Sequence, residues 1–573
     1  MKMIISNRHN SSSLTKCLII WFLLVVMAGS VQATDVSRLI KCGQTKTAIK
    51  LLRTQLVTQG KAGRDWYPLG LLYLNINQLD SARYCFAKVA ENQSEQPLAT
   101  IGLGLADIKQ GKPIADKYTW IRFWEKHEKS SDVLLITQMG LLWGRLGETE
   151  KCDELLNYAC AITKAQPDVF LTAGNVYLEL TGPKVTEVNN YGKACGKFEQ
   201  YIYKNKENPE AYAAIAAVYT LNKNYSDAKQ MVEKALELDS TWIPAIKVLG
   251  DLSYSTGIYK VASKSYTKYF ELAETSKEDS LRFINVLWFN KEYNRLLPIL
   301  SEAVVKHPEN EVLLRLSAYT NCELKNVRAG LQNMEQFFKL RSTGSQEKMI
   351  ATDYEYYGRL LSLNGNDSLA IIQFTKAYQL DSANVGVLDN MAKSYEKLKD
   401  YAMAIKSYNT FISISGKQSS ATVFSIGKNF LLLAASHDSP NDSLVKDSLL
   451  NEATKAFTKV VELSPNSYLG YLWSARAQAQ LDPETVLGLA KSNYESCLTL
   501  LEAKNQVEKY KLEIVEARRY LGYYYYLASE KAKTAKDLSL TETNKITSKE
   551  HWQKLLIIDP ENETAKKALE AIK

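Results

Sequence analysis

A pattern of small, aliphatic and aromatic residues recurs every 34 residues along this chain, and it constrains the fold more than any other feature. Its clearest copy reads YAAIAAVYTLNKNYSDAKQMVEKALELDS. The first half carries residues three, four and seven positions apart, which places them on one face of a helix: Tyr212, Ile215, Ala216 and Tyr219. After the turn NKNYSD, a second set has helical spacing: Ala228, Val232 and Ala235. The stretch predicts two short amphipathic helices that need a neighbouring copy to bury both faces.

Further copies keep the 34-residue register. The next copy carries Ile246, Leu249, Gly250, Gly257, Tyr259, Ala262 and Tyr266 in the same slots. Two later copies are in register with each other, with Tyr354, Tyr357, Gly358, Gly365, Ala370, Phe374 and Ala377, then Leu388, Met391, Ala392, Tyr395, Tyr401, Ala404 and Tyr408. Stacked copies of this kind bury one continuous core, so the pattern predicts an all-α array.

The stretch WYPLGLLYLNINQLDSARYCF resembles the tetratricopeptide (TPR) repeat. The residues in the family's slots are Trp66, Leu69, Gly70, Tyr73, Ala82 and Phe86. The resemblance implies a right-handed α-solenoid of about a dozen helix-turn-helix units over residues 34–573. The clearest repeats are 63–96, 209–242, 243–276, 351–384 and 385–418, with a capping helix near 561–573. We expect similarity to exported envelope TPR proteins of Bacteroidetes.

The N-terminus predicts export. A basic start is followed by the apolar run CLIIWFLLVVMAG and then by SVQA, which is typical of a secretory signal peptide over residues 1–33. An uncleaved leader that anchors the chain in a membrane is the alternative. We therefore expect a periplasmic protein, and membrane contact only if the leader is retained.

Charge and cysteine content indicate neither nucleic acid nor a cofactor. The formal net charge of +8 falls to +5 without the three cations of the leader, and acidic residues are dispersed among the basic ones. Outside the leader there are seven cysteines, Cys42, Cys85, Cys152, Cys160, Cys195, Cys322 and Cys497, without a CxxC spacing. We expect them to be small buried side chains, and we expect no metal site.

No pattern for catalysis stands out in the sequence. The four histidines outside the leader, His127, His307, His437 and His551, are far apart, and neither an HExxH nor a GxSxG motif occurs. The glycines of GLGLAD, residues 102–107, are expected to pack closely within a helix rather than bind a nucleotide. We therefore predict a protein that is not an enzyme.

The TPR resemblance implies a partner-binding groove. In that family the concave wall is lined by slots 2, 5, 6, 9, 12 and 13 of each first helix, and it faces a protein or peptide ligand. Read in repeats 351–384 and 385–418, these slots give the candidate binding residues Tyr356, Arg359, Asn390, Lys393 and Lys397. They also contain Glu355, Asp389 and Glu396, so the wall mixes both charges with an aromatic residue.

Two further sets of residues are candidates for function. In RRYLGYYYYL, Tyr523 and Tyr526 occupy slots 9 and 12 of a late repeat and are expected to contact a partner, or else to cover the inner wall. The triplets DSA and DSL resemble an O-glycosylation sequon of exported Bacteroidetes proteins, although Asp and Ser also cap helices. Ser443 and Ser448, in an insert, are the best candidates for glycosylation.

The sequence thus favours a non-catalytic protein-protein interaction scaffold in the cell envelope that binds its ligand in the TPR groove. A structural component of an envelope assembly or secretion machine, anchored by an uncleaved leader, is the alternative. A carbohydrate-processing or peptide-processing enzyme is disfavoured because no catalytic constellation is apparent.

Overall fold

The computed structural model describes residues 31–58, 63–112, 117–162, 166–181, 190–274, 277–342, 349–437, 439 and 442–572. Residues 1–30 of the predicted leader lie outside these ranges. The described chain forms two compact units, one up to Ile299 and one from Leu300 onward.

The first unit is built from consecutive pairs of α-helices. Its helices are α1 Val31–Lys41, α2 Thr45–Thr58, α3 Tyr67–Asn75, α4 Leu79–Ala90, α5 Gln96–Gln110, α6 Lys117–His127, α7 Val133–Arg145, α8 Thr149–Ile162, α9 Asp168–Glu179, α10 Tyr191–Lys204, α11 Pro209–Leu221, α12 Tyr225–Leu238, α13 Ile243–Ser255, α14 Tyr259–Leu272 and α15 Lys277–Phe289. Two 3-10 helices, Gly63–Trp66 and Gln93–Glu95, precede α3 and α5. The division between the units falls within α16, Tyr293–Lys306.

The second unit continues the same alternation of first and second helices. Its helices are α17 Glu311–Glu323, α18 Val327–Ser342, α19 Ala351–Leu363, α20 Asp367–Leu380, α21 Gly386–Lys397, α22 Tyr401–Ser415, α23 Ser420–Ala435, α24 Ser443–Leu463, α25 Tyr468–Leu481, α26 Lys491–Glu502, α27 Lys511–Thr534, α28 Leu538–Ile558 and α29 Glu563–Ala571. A 3-10 helix, Glu508–Tyr510, precedes α27. In the described ranges the regular secondary structure is helical, without strands, and the predicted all-α fold of helix-turn-helix units is confirmed.

The pair α11 and α12 shows how the sequence specifies one such unit. Pro209 is the first residue of α11, where its missing N–H does no harm, and the side chain of Asn208 caps the helix by accepting from the Glu210 N–H. The turn to α12 places Lys223 at φ 61°, the left-handed conformation that ends a helix. The predicted stripe on α12, Ala228, Val232 and Ala235, is buried. In the turn that leads to α13, the side chain of Asp239 accepts a hydrogen bond from the N–H of Thr241, which precedes the helix.

Glycines in the first helices permit close packing against aromatic side chains. A Cβ atom on Gly70 would lie 2.5 Å from Cε1 of Phe86, and one on Gly102, in the next pair, would lie 2.5 Å from Cδ1 of the same ring. Phe86 thus fills the space between two consecutive first helices. Gly358 has the same relationship to Phe374 within its own pair. This spacing explains why small residues recur in that slot, because a larger side chain would collide with the ring.

The last helix pair is extended at the turn that joins its two helices. The helices α27 and α28 have 24 and 21 residues, longer than the other first and second helices around them. At the end of the chain, Trp552 and Leu555 of α28 form a small core with Ala565 of α29 and with Ile572. Among the described residues, none of the helices is both long enough and apolar enough to cross a membrane.

Candidate functional site

Polar side chains join consecutive first helices in the second unit. We call these side chains of α17, α19, α21 and α23, together with the neighbouring side chains in the predicted slots, the first-helix wall. Most of these links join residues 32 to 38 positions apart, close to the 34-residue repeat. Equivalent slots of neighbouring repeats therefore face each other, as the periodicity of the sequence requires.

Asp353 anchors the wall between α17 and α19. Its Oδ1 accepts a hydrogen bond of 2.7 Å from the hydroxyl of Tyr319 and lies 2.7 Å from Nε of Arg315. Its Oδ2 accepts from the backbone N–H of Ile350 at 2.9 Å and so caps α19. Arg315 and Asp353 are both buried. A buried ion pair whose oxygen atoms are this fully bonded fixes the relative position of the two helices.

The predicted residues Tyr356 and Arg359 lie on the first-helix wall beside this anchor. The ring of Tyr356 stacks on Tyr319 with centroids 4.1 Å apart, and its hydroxyl donates to Oε1 of Glu323 at 2.8 Å. Nη1 of Arg359 donates to the same oxygen atom at 2.8 Å, and its guanidinium lies 4.6 Å from the Tyr356 ring centroid. Burial opposes the charge of Arg359, but its neighbours, Glu323 among them, raise its pKa overall. Tyr356 is only 5% exposed, so it positions Arg359 rather than offering surface.

The predicted residues on α21 are more accessible. Nζ of Lys393 lies 2.7 Å from Oδ2 of Asp389 on the same helix, and the Lys393 side chain is 58% exposed. Nζ of Lys397 reaches back to α19, where it donates to the carbonyl and hydroxyl oxygens of Ser362 at 2.9 and 2.8 Å. Lys397 is 52% exposed, whereas Asn390 is half-buried. These two lysines are therefore the cations of the predicted set that a partner could reach most easily.

The wall also contains residues that the sequence analysis did not single out. Glu323 accepts hydrogen bonds from two predicted residues, Tyr356 and Arg359, and Asn429 of α23 donates to Oε1 of Glu396 at 2.6 Å.

Lys428 is exposed on α23 and follows Gly427, just as Arg359 follows Gly358. The slot after the small residue is the signal in the sequence that identifies Lys428.

The terminal tyrosines occupy different environments. Tyr523 is 42% exposed on α27, whereas Tyr526 packs against the small core around Trp552. Between them, the hydroxyl of Tyr525 donates to Glu495 at 2.6 Å, and its ring stacks on His551. Burial, followed by the charge of Arg518, lowers the pKa of His551 to about 4, so this imidazole is neutral at neutral pH. Tyr523 is thus the more accessible of the two predicted residues.

A family model described as "Tetratricopeptide repeat" matches this chain over residues 209–241 and 385–418. These two stretches correspond to the helix pairs α11–α12 and α21–α22. The chain contains tetratricopeptide repeats. The first-helix wall therefore occupies the helices that the resemblance assigned to the inner face of a TPR array.

A known protein with similarity to this chain is named as a subunit of a complex. "Anaphase-promoting complex subunit 3" of Schizosaccharomyces pombe is 21% identical over 311 residues, which are 51% of this chain and 42% of that protein. The chain thus matches less than half the length of this curated relative.

Two solved TPR structures also resemble parts of the chain. The C-terminal part of a TPR repeat-containing protein from Cytophaga hutchinsonii is 26% identical with a TM-score of 0.40, covering 50% of this chain and 98% of the other. The structure named YrrB, described as a TPR protein with an unusual peptide-binding site, is 19% identical with a TM-score of 0.28, covering 33% and 95%.

The glycosylation candidates lie on α24 of the TPR chain. Ser443 is the first residue of this helix, and Ser448 follows in its second turn. Both side chains are exposed, and the side chain of Asp442 makes no capping hydrogen bond to the helix. The insert thus contributes to a helix, with both serines on its surface.

The cysteines are buried. Cys42, Cys85, Cys152, Cys160, Cys195, Cys322 and Cys497 all carry free thiols, as expected for small core residues. Within the ranges that the structure describes, no group of three or more His, Cys, Asp or Glu residues is placed to hold a metal ion.

Proposed function

We propose that this chain is a protein-protein interaction scaffold that binds a protein or peptide partner on the first-helix wall of its second unit. The observation that carries the proposal is the geometry of Arg359. Glu323 and Tyr356 hold its guanidinium in place, yet the side chain stays 29% exposed. A side chain that is already ordered loses little conformational entropy when a partner binds, so more of the contact energy contributes to affinity.

Three exposed cations on the neighbouring helices support the same proposal. Lys393 and Lys397 lie on α21, the first helix that follows α19 in the array, and Lys428 lies on α23, the first helix after that. They offer donors to carbonyl or carboxylate oxygens of a partner. Acidic side chains lie among them, as in the contact between Asp389 and Lys393, so the wall presents a pattern of both charges. Such a pattern favours specificity for one binding register over strong non-specific attraction.

We infer a non-catalytic role, because the carboxylates Asp353 and Glu323 of the wall are bonded to neighbouring side chains and backbone. Asp353 is saturated by Tyr319, Arg315 and the backbone of Ile350, and it is buried. Glu323 accepts from two donors. Groups held in this way stabilise the array rather than transfer protons to a substrate.

We further propose that the protein acts in the cell envelope. The signal-like leader over residues 1–33 supports export of the chain. Cleavage of the leader would then leave the protein in the periplasm. Retention of the leader would instead fix the scaffold to a membrane as part of an envelope assembly. Mass spectrometry of the native protein separates the two: an N-terminal peptide beginning at Thr34 supports export, and one beginning at Met1 supports the anchor.

The intact mass of the native mature protein tests glycosylation. A mass that equals that of the unmodified chain excludes glycans on Ser443 and Ser448.

The binding proposal is tested by in-cell cross-linking and mass spectrometry of the affinity-purified protein. The variant combines Arg359→Glu, Lys393→Glu and Lys397→Glu. Its matched control carries Lys406→Glu and Lys417→Glu, exposed lysines on and just after the second helix α22. We expect a reproducible partner to disappear from the variant and to persist in the control. If every partner persists in the variant while its circular dichroism is unchanged, the wall is not the binding site.

A further inference from the structure

The N-terminal helix pair of the first unit contacts helix pairs that come much later in the sequence. Nε2 of Gln44, in the turn between α1 and α2, donates to the carbonyl oxygen of Leu272 at 2.7 Å, although 228 residues separate the two. In a stacked array each repeat contacts only its neighbours. The contact is therefore additional to solenoid packing, and specific side chains must account for it.

One of these side chains caps a helix from a distance. The carboxylate of Glu274 accepts the backbone N–H groups of Lys46 and Thr47 at 2.8 and 3.1 Å, and the hydroxyl of Thr47 at 3.0 Å. Helix α2 begins at Thr45, so these N–H groups have no acceptor within the helix. A carboxylate at a helix N-terminus also interacts favourably with the helix dipole. Glu274, the second residue after α14, thus completes the start of α2.

The preceding helix contributes two cations one turn apart. Nη2 of Arg38 lies 2.9 Å from Oδ2 of Asp239 and 3.1 Å from the hydroxyl of Thr241. Its guanidinium also lies 5.5 Å from the ring centroid of Trp242. Nζ of Lys41 lies 2.8 Å from Oε2 of Glu210, in a contact that leaves their side chains only 14% and 2% exposed. Residues three apart share a helix face, so both cations project from one side of α1.

The acceptors form a surface that we call the acidic edge: Glu210, Asp239 and Glu274, together with Trp242. Its residues come from the start of α11, from the turn between α12 and α13, and from the end of α14. Three carboxylates are thus arranged to meet two cations and a helix N-terminus.

We propose that α1 and the first turn of α2 are a clasp that occupies a helix-docking surface, the acidic edge, and that a partner helix with the same chemistry takes this surface when the clasp opens. Such a helix carries two cations three positions apart and is followed by a helix with an uncapped N-terminus. Arg38, Lys41 and the first turn of α2 reach the acidic edge through polar side-chain contacts, and such contacts can open locally without unfolding of the array. This surface lies in the first unit and is separate from the first-helix wall.

The first experiment measures hydrogen exchange by mass spectrometry in the full chain with Glu274→Ala. We expect amide exchange at residues 45–49 to be at least tenfold faster than in the wild type, with exchange over 351–363 unchanged. The matched control is Glu271→Ala, an exposed residue on α14. If exchange at the start of α2 differs from the wild type by less than twofold, the clasp does not exist as described.

Reversing both charges of the ion pair between Arg38 and Asp239 distinguishes opening of the clasp from misfolding of the chain. Arg38→Glu should accelerate exchange over residues 36–49, and adding Asp239→Arg should restore most of the protection by reversing the ion pair. If the double variant exchanges as fast as the single one, the Arg38 contact does not hold the clasp.

The second experiment tests docking in trans with a fluorescent peptide of residues 36–58. In the full chain with Arg38→Glu and Lys41→Glu the acidic edge is intact and its occupant is weakened. We expect this variant to bind the peptide at least tenfold more tightly than the wild type, where the tethered clasp competes. Adding Glu274→Ala should remove most of that gain. The proposal of a docking surface is overturned if the peptide binds the wild type and the variant with Arg38→Glu and Lys41→Glu equally tightly, or if it binds neither.

Discussion

Asp353 accepts a hydrogen bond of 2.7 Å from the hydroxyl of Tyr319, which lies on the first helix of the preceding pair. The same carboxylate also bonds to Arg315 and to the backbone N–H of Ile350. Because both charged partners are buried, each depends on the other for the interactions that water would otherwise supply. One side chain therefore caps α19 and joins it to α17.

We expect Asp353→Ala to destabilise the second unit by about 3–5 kcal/mol, because it leaves the charge of Arg315 buried without its partner. Native-state hydrogen exchange of α17 and α19 measures this as a lower free energy of local opening. The control is Asp389→Ala, which removes an exposed partner of Lys393 in the next repeat and should cost less than about 1 kcal/mol. A similar small effect at both positions would show that the buried pair contributes little.

Glycine-to-alanine substitutions should change stability in opposite directions at two helical positions. At Gly358 the new Cβ would lie 2.5 Å from Cε1 of Phe374, so we expect a loss of about 1–3 kcal/mol from strain and displacement of the ring. At Gly196, within α10, nothing lies within 4 Å, and alanine should stabilise the helix by about 0.5–1 kcal/mol. Hydrogen exchange of each helix pair provides the comparison. Loss of stability at Gly196 or a gain at Gly358 would contradict the packing argument.

The sequence predicts the helix pairs well because local chemistry determines them. The spacing around Tyr212 and the small residue at Gly358 each depend on contacts within one pair or between neighbours. Arg359 and Lys393 come from equivalent slots of neighbouring repeats, and their contact with a partner stays a prediction. The sequence did not predict that Tyr356 is buried under Glu323, since that depends on which side-chain conformations fit between two repeats.

The contact between Glu274 and the start of α2 lies outside what a repeat pattern can predict. It depends on how far the first unit curves over several pairs, and small rotations between neighbours add up along the array. No periodicity in the sequence relates the two segments. Neighbouring repeats are therefore predictable from spacing, whereas contacts between distant repeats need the three-dimensional structure.

The free energy of unfolding of the first unit should depend on pH through Glu210. Burial raises the pKa of this carboxyl from 4.5 to about 7, although the charge of Lys41 acts in the opposite direction and that of nearby Asp168 adds to the increase. Between pH 4.5 and 7 the folded state therefore binds more protons than the unfolded state, and this contribution to stability is lost as pH rises through that window. Glu210→Gln cannot ionise, so its stability relative to the wild type should increase from pH 4.5 to pH 8 by on the order of 1–3 kcal/mol.

Native-state hydrogen exchange of α11 and α12 at the two pH values measures this difference. The control is Glu237→Gln, an exposed residue on α12, which we expect to change the free energy of opening by less than about 0.5 kcal/mol at either pH. If the relative stability of Glu210→Gln decreases as the pH rises, the carboxyl is stabilised in its charged form by Lys41 and the sign of the prediction is wrong.

The buried thiols should resist alkylation in the folded protein. Burial is the main cause that raises the pKa of Cys85, Cys152 and Cys497 to about 12, so little thiolate forms at pH 8. We expect iodoacetamide to modify these three at least about 100-fold more slowly than an exposed cysteine introduced by Ser448→Cys, and all of them to react rapidly in denaturant. Peptide mass spectrometry after timed labelling gives each rate separately. Labelling of Cys152 at the rate of the introduced cysteine would mean that the pair α7–α8 opens readily, because only the thiolate reacts and burial is what suppresses it.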